Sequence, residues 1–477
     1  MNLEFKIPLW KHQKEASDIA KSRDYYAFLF EVGTGKTCAA ITTLRYKYAE
    51  NKRLLPTLIL CPIIVMENWK REILANSKIK PLQIITPQGP GKKRARIISE
   101  QTEDPNKIVI INYESLLIEP VYEEIKRWGP EVLVCDESHY LKEMRSKRTK
   151  KAIFIADRCR YRYIMTGTPV LNTPMDLFAQ FRVMDGGEAF GKSYTVFRAE
   201  YFYDRNVHMP PMKYFPDWKI KKDSINQFNQ ILNSSGMIVK KADCLDLPPL
   251  IKKPIYVELS KEQKRVYEEL KKDLITFLND KACTAPLAIT KSLRLQQIVS
   301  GFVMGEDMEG KSEVIDLKEN PRAKVLEKLL VEYSEHHKLI IWAVFKNNYK
   351  TIREVCDKLK IPFVEVHGEI KTKDKFKNVD TFNQDPKCRV LIGHPNSGGV
   401  GINLVASSIS IFYSRNFSLG QDIQAEARNY RGGSEIHESI LRIDLIAKDT
   451  IDEVIQKALA SKQAISDKLL KKSQHLL

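Results

Sequence analysis

Tyr26–Ile41 reads YAFLFEVGTGKTCAAI. Tyr26–Phe30 has the character of a buried strand, and Thr37 opens a helix-forming run, so the junction places Gly33, Thr34, Gly35, Lys36 and Thr37 in a turn between them. Such a turn aims backbone N–H groups and the positive end of a helix dipole at one point. Glycines let the backbone close around an anion, Lys36 supplies a point charge, and Thr37 offers a hydroxyl to Mg²⁺. The natural occupant is a nucleotide triphosphate. The strict phosphate-loop spacing wants a glycine at Phe30, so the match is to the shorter GxGKT form. An ordinary strand-to-helix turn capped by Thr37 is the competing reading, and partners elsewhere in the chain must decide.

The first partner is Val132-Leu133-Val134-Cys135, an apolar run that leads directly into Asp136-Glu137-Ser138-His139. Two adjacent carboxylates at the end of a buried strand are costly unless a cation or a proton transfer engages them. Asp136 is placed to hold Mg²⁺, and Glu137 to orient and deprotonate an attacking water. A third strand tip, Met165-Thr166-Gly167-Thr168-Pro169, offers small hydroxyl groups to those carboxylates. Farther on, Gln424-Ala425-Glu426-Ala427-Arg428-Asn429-Tyr430-Arg431 is read as a helix with Arg428 and Arg431 on one face. The rigid fork of arginine suits charge developing on a transferring phosphoryl group. A surface helix with ordinary salt bridges is the alternative.

A chain of 477 residues is too long for one ordinary core, so two or three domains are expected. The net charge of +17 favours a polyanionic partner, nucleic acid first and an anionic membrane second. The eight cysteines are scattered without a CxxC pair, and several lie in apolar runs, as buried thiols in a reducing compartment do. The N-terminal MNLEFKIPLW lacks an apolar signal core, and Leu54–Met66 is short and broken by two prolines. A soluble, intracellular (cytoplasmic) protein is expected.

Short apolar strands alternate with amphipathic stretches in both halves. The first half continues with Thr57–Cys61, Gln83–Thr86, Lys107–Asn112, Glu131–Asp136 and Tyr161–Thr166. The second has Leu339–Val344, Pro362–Val366, Arg389–Gly393, Ser408–Tyr413 and Leu441–Ile446. Continuous apolar runs of this kind predict parallel sheets covered by helices on both faces, an α/β fold in two lobes. The expected division is 1–245, with a helical protrusion about 175–245, and 246–477, with a second protrusion about 256–310. Leu247-Pro248-Pro249 marks the crossover. In such folds ligands bind beyond the strand C-termini, where the residues singled out above lie.

Taken in order, the motifs form a series. They are Gln13 within WKHQKEA, Glu31–Thr37, Cys61-Pro62 with Asn68-Trp69, Asn112-Tyr113-Glu114, DESH, TGTP, Ser397-Gly-Gly-Val-Gly-Ile-Asn403 and QAEARNYR. The series resembles that of superfamily 2 helicase-type ATPases. Asn68–Glu72, the lysine-rich run after DESH, Leu247-Pro-Pro, Leu259–Gln263 with Tyr267, Leu293–Gln297 and Thr450–Glu453 narrow the resemblance to the SWI/SNF-like double-stranded DNA translocases. Phe30 stands where that family usually carries an acidic residue, and His394-Pro395-Asn396 replaces a more usual Ser/Thr-containing entry to the GGxGxN turn.

The resemblance implies two RecA-like lobes with parallel sheets and helical insertions, and ATP with Mg²⁺ as cofactors. It implies nucleotide binding by Gln13 and the phosphate turn, hydrolysis by Lys36, Asp136, Glu137, Arg428 and Arg431, and metal contacts from Thr37 and Asp136. Closure of the lobes would bring Arg428 and Arg431 onto the γ-phosphate. The partner implied is double-stranded DNA, met through phosphates along basic segments such as Lys92–Arg96 and Lys142–Lys151. A strand-separating helicase and a nucleotide-switched binding module are the rival readings. The chain is short for the family, so chromatin remodelling is not implied and a phage or bacterial setting is expected.

Overall fold

The computed structural model describes residues 8–100, 105–210, 214–280, 285–306, 312–396 and 402–471. By contact the chain divides into two units. One comprises Met1–Asp204, Trp218–Leu245 and Lys462–Leu477; the other comprises Arg205–Asp217 and Asp246–Ser461.

The first unit is built on β1 (Tyr25–Phe30), β2 (Thr57–Cys61), β3 (Ile84–Ile85), β4 (Ile108–Asn112), β5 (Val132–Asp136) and β6 (Tyr161–Met165). A small antiparallel ribbon, β7 (Phe202–Asp204) with β8 (Trp218–Ile220), precedes β9 (Gly236–Val239). The main sheet has the order β3-β4-β2-β5-β6-β1-β9, with every pairing parallel. Its strands are short apolar runs because both faces are covered: all five residues of β2 and of β5 are buried. Local chemistry sets the ends of the covering helices. Ser146 caps Lys147–Ala156 by accepting the Thr149 N–H, and Gly129, at φ 68°, ends Glu119–Trp128.

The second unit contains β10 (Leu250–Val257), the hairpin β11 (Phe302–Glu306) and β12 (Ser312–Asp316), and then β13 (Leu339–Trp342), β14 (Phe363–Val366), β15 (Val390–Gly393), β16 (Ile409–Phe412) and β17 (Ile440–Ala447). The sheet order is β10-β17-β16-β13-β15-β14, again parallel throughout. Along β13 the burial alternates between layers. Leu339 and Ile341 join one apolar cluster, and Ile340 and Trp342 the opposite one. Each unit is thus a RecA-like lobe, a parallel sheet between helical layers. The C-terminal helix, Ile451–Leu469, begins in the second unit and contributes its last residues to the first.

Two strands of the parallel sheets fall outside the runs read from the sequence, as do the four strands of the small antiparallel pairs β7–β8 and β11–β12. Gly236–Val239, within the stretch expected to be a helical protrusion, is the edge strand beside β1. Leu250–Val257 is the edge strand beside β17 and is mostly exposed, so it lacks an apolar signature. Of the eight cysteines, Cys38, Cys61, Cys135, Cys159, Cys244, Cys356 and Cys388 are free thiols, and Cys283 lies outside the described residues. Ser397–Gly401 and the N-terminal Met1–Ile7 also lie outside them. Among the described residues no helix is long and apolar enough to cross a membrane.

Candidate active site

The turn after β1 has the conformation its glycines predict. Gly33 and Gly35 hold φ of 93° and 78°, and Lys36 begins the helix Lys36–Glu50, with Thr37 second in it. The Lys36 ammonium donates to the Phe30 carbonyl at 3.2 Å. Gly35 is also required by proximity, since a Cβ there would lie 2.0 Å from Nε2 of Gln13. That amide reaches the carbonyls of Thr34 and Gly35 at 3.5 and 3.4 Å, while Oε1 of Gln13 accepts the Trp10 N–H at 2.9 Å. His12, passed over in the sequence apart from its place beside Gln13, lies with Nε2 2.8 Å from the Thr34 carbonyl. That contact requires the proton on Nε2. Phe30 is fully buried, its ring 5.9 Å from that of Phe28 and edge-on to His12, so it packs the core and faces no anion.

The carboxylates meet this turn through the sheet register. Asp136 pairs with Met165 across β5 and β6, and Met165 pairs with Phe28 across β6 and β1. The three strand tips therefore lie side by side at one edge. Asp136 is buried, with Oδ2 accepting the Trp69 indole N–H at 2.8 Å and Oδ1 the Glu137 backbone N–H at 2.9 Å. Its own carbonyl accepts the Tyr113 hydroxyl at 2.7 Å. Glu137 sits in the left-handed region, φ 52° and ψ 53°. Its Oε2 lies 3.3 Å from both the Thr166 hydroxyl and Nδ1 of His139. Thr166 also accepts the Thr168 N–H at 3.1 Å, which fixes the TGTP turn under the carboxylate. Gly167 is pressed against the phosphate turn, where a Cβ would stand 2.9 Å from both the Phe30 carbonyl oxygen and the Val32 nitrogen. Ser138 donates to Gln180 at 2.7 Å, and Gln180 donates to the Pro169 carbonyl at 2.8 Å, joining the DESH and TGTP segments from behind. Gln180 lies in the largely buried helix Asp176–Asp185 and carries no sequence signal, and the sequence marks Trp69 as a family residue without showing this contact.

Burial and the neighbouring Glu137 charge push the Asp136 carboxyl well above the usual carboxylate range, against the opposing pull of Lys36 and the Trp69 hydrogen bond. Burial would raise Glu137 too, but Lys36, His139 and Thr166 outweigh it and hold that carboxyl below the usual carboxylate range. Among the described residues no group of three or more His, Cys, Asp or Glu side chains gathers around a metal. A hydroxyl and one carboxylate beside a phosphate turn suit an ion that arrives with phosphate and keeps its water, as Mg²⁺ does. The residues present therefore fit a magnesium–nucleotide pair, with Thr37 and Asp136 the ones that could hold the ion.

In the second unit the helix read over QAEARNYR stops at Glu426, so Arg428 and Arg431 lie in the turn that follows rather than on a helical face. The reason is pairing. The Arg428 carbonyl accepts the Leu404 N–H at 3.0 Å, which spends it outside the helix. Arg428 is only 2% exposed, which removes the surface-helix reading. Both guanidinium groups reach the Ile402 carbonyl at 3.4 Å, next to the Ser397–Gly401 segment outside the described residues. Buried charge anchors the preceding helix: Arg442 on β17 meets Glu426 at 2.7 Å, Asp422 at 3.0 Å and Asp444 at 3.0 Å, with its guanidinium 3.9 Å from the Phe412 ring centroid. Gln13, Gly33–Thr37, Asp136 and Glu137 are thus gathered in the first unit, and Arg428 and Arg431 with each other in the second.

The SNF2-related domain family matches residues 28–301, and the helicase conserved C-terminal domain matches residues 321–433. The chain is 27% identical to putative protein p41 of Acyrthosiphon pisum secondary endosymbiont phage 1, over 92% of this chain and 93% of that protein. It is 25% identical to the chromodomain-helicase-DNA-binding protein 1-like of Danio rerio, over 94% of this chain and 42% of that one. An uncharacterized ATP-dependent helicase of Mycoplasma genitalium is 26% identical over 92% of this chain and 40% of its own length. The chain thus spans nearly all of the phage protein but under half of the other two. With a family match covering more than half its length, the chain belongs to the SNF2-related family of superfamily 2 ATPases.

Proposed function

We propose that the chain is an ATP-driven motor that moves along double-stranded DNA through backbone contacts, without reading sequence. The observation that carries the proposal is the meeting of Lys36, Asp136 and Glu137 at one sheet edge, in a chain that also supplies the buried arginine pair Arg428 and Arg431. Lys36, now on the Phe30 carbonyl, turns to phosphate. Its charge is the foremost of the influences that hold Glu137 down, beside His139 and Thr166, so engaging it elsewhere lets Glu137 rise toward the basicity that a proton acceptor needs. Thr166 and His139 keep that carboxylate aimed, while Trp69 orients Asp136. Mg²⁺, when bound by Thr37 and Asp136, supplies charge neutralisation on the phosphates. Arg428 and Arg431 act as fingers on the developing charge.

The partner reading draws on the net charge of +17 and on relatives named as DNA-binding and helicase proteins. Within the basic segments the side chains divide. Arg94 donates to Asn112, and Arg148 and Lys151 pair with Glu114 and Glu119. Lys92, Lys93, Arg145, Lys147 and Lys150 are exposed and are the candidates for phosphate contact. An intracellular, phage-encoded or bacterial setting agrees with the phage relative. The test is ATPase activity measured in parallel with duplex DNA, single-stranded DNA and RNA. Duplex DNA should stimulate most, and stimulation should fall steeply with salt as counterion release weakens the contacts. Stronger stimulation by single-stranded RNA would overturn the reading.

A further inference from the structure

Glu31, the first residue past β1, is held at three points. Its N–H donates to the Val239 carbonyl at 2.9 Å and extends the β1–β9 pairing by one residue. Its carbonyl accepts the Thr34 N–H at 3.3 Å and the Thr34 hydroxyl at 2.8 Å, which closes the phosphate turn. Its carboxylate Oε2 accepts the Lys241 backbone N–H at 2.8 Å. Lys241 opens the short 3₁₀ turn Lys241–Asp243, whose first N–H has no partner within the turn, so the Glu31 carboxylate caps it. Four residues beyond Lys241 the first unit ends at Leu245, and Leu247-Pro248-Pro249 leads into β10 of the other sheet.

One residue therefore links turn closure to a segment where the chain passes from one lobe to the next. On its other side the same stretch is gripped by Gly167, whose Cβ position lies 3.2 Å from the Glu31 carbonyl carbon. A turn wedged between the TGTP segment and residues 239–241 cannot shift without moving one of them, because backbone in contact has no slack to absorb the change. Phe30, whose carbonyl now occupies Lys36, is the residue directly before Glu31. Redirecting Lys36 thus acts on the peptide unit that Glu31 shares.

We infer that Glu31 is the positioning residue that transmits filling of the phosphate turn to the 240–246 segment, so that it serves coupling of hydrolysis to movement. This rests on the motor reading above. The test uses the full chain, Glu31→Ala and Glu31→Gln. Hydrogen exchange of residues 240–246 is followed with and without Mg²⁺ and a non-hydrolysable ATP analogue. In the wild type, exchange in this segment changes on adding the analogue. In Glu31→Ala it should be roughly tenfold to a hundredfold faster throughout, as loss of an N–H bond to a charged acceptor implies, and should no longer respond to nucleotide. Glu31→Gln, which keeps a neutral acceptor, should fall between. Displacement of a third strand from duplex DNA, counted per ATP hydrolysed, should drop by about tenfold in Glu31→Ala, the same bond lost. A nucleotide response at 240–246 that is the same in all three proteins would overturn the role of Glu31 and leave the motor standing. A wild type that shows the response, lost in Glu31→Ala, but moves no strand would support Glu31 as transmitter and overturn the motor.

Discussion

Trp69 donates its indole N–H to Asp136 across 2.8 Å, from a helix that starts five residues after β2 to the tip of β5. Both groups are buried, and the bond favours the ionised carboxylate against burial and the charge of Glu137. Trp69→Phe removes the donor together with part of a fully buried ring, so a cavity cost adds to the lost bond. The bond alone should account for about 1.5–3 kcal/mol of the stability lost in urea unfolding, the range for bonds to charged groups. Without the indole donor the Asp136 carboxylate loses a hydrogen bond that favours its ionised form, so the Mg²⁺ concentration needed for half-maximal ATPase should rise. A Mg²⁺ dependence identical to wild type would show that Trp69 only packs.

Glu137→Gln preserves shape and the contact with Thr166 but cannot take a proton. ATP binding should persist while turnover falls roughly 10²–10⁴-fold, the usual contribution of a positioned base. Near-normal steady-state turnover would mean that another group activates the water.

For Arg428 the expected loss is in turnover rather than in binding. Fingers of this kind are worth roughly 10³–10⁵ in rate, so Arg428→Ala should bind ATP almost normally and hydrolyse it slowly. Because Arg428 is buried, Arg428→Lys is the informative companion: it keeps the charge and much of the volume, yet should not restore the rate. Steady-state ATPase beside a nucleotide titration distinguishes the cases, and unchanged turnover in either variant would remove the finger role.

The Arg442 cluster makes the second lobe sensitive to acid. Burial alone would raise Asp422 and Glu426, but Arg442, with Arg415 at the first and Lys252 at the second, holds both carboxyls below their ordinary values. Groups depressed in the folded state stabilise it above their unfolded pKa, about 3.9 and 4.3, and that contribution is lost as pH falls through the folded values. Arg442→Met should cost up to about 3–5 kcal/mol near neutral pH, because buried Asp444 and part-buried Asp422 and Glu426 lose their shared partner. Its penalty should shrink toward pH 3 in urea titrations. A penalty independent of pH would show that Arg442 contributes packing alone.

What was legible in the sequence was local. Lys36 and its glycines lie within five residues of one another, and Asp136-Glu137 directly ends a run buried on every residue, so turn chemistry and burial both leave their mark. Gly236–Val239 was not legible, because a four-residue run after a helix gains its strand state only by pairing with β1, far away in sequence. Gly236 fits there because a Cβ would stand 2.1 Å from the Ala27 carbonyl oxygen. The end of the helix before Arg428 was hidden for the same reason: Leu404, which takes its carbonyl, is remote in the chain. The Trp69–Asp136 bond spans 67 residues and has no periodicity to betray it.

Glu137 is a residue with a side chain held at φ 52°, a conformation that costs a non-glycine residue about 1–2 kcal/mol. The lobe is therefore less stable than its own fold allows, by an amount set at the position proposed to do the chemistry. Laboratory selection for thermal endurance alone would drift toward glycine or asparagine there, and a hardened protein would emerge with its motor silenced. Any thermostable version must gain its tolerance elsewhere and leave this one uncomfortable residue as it is.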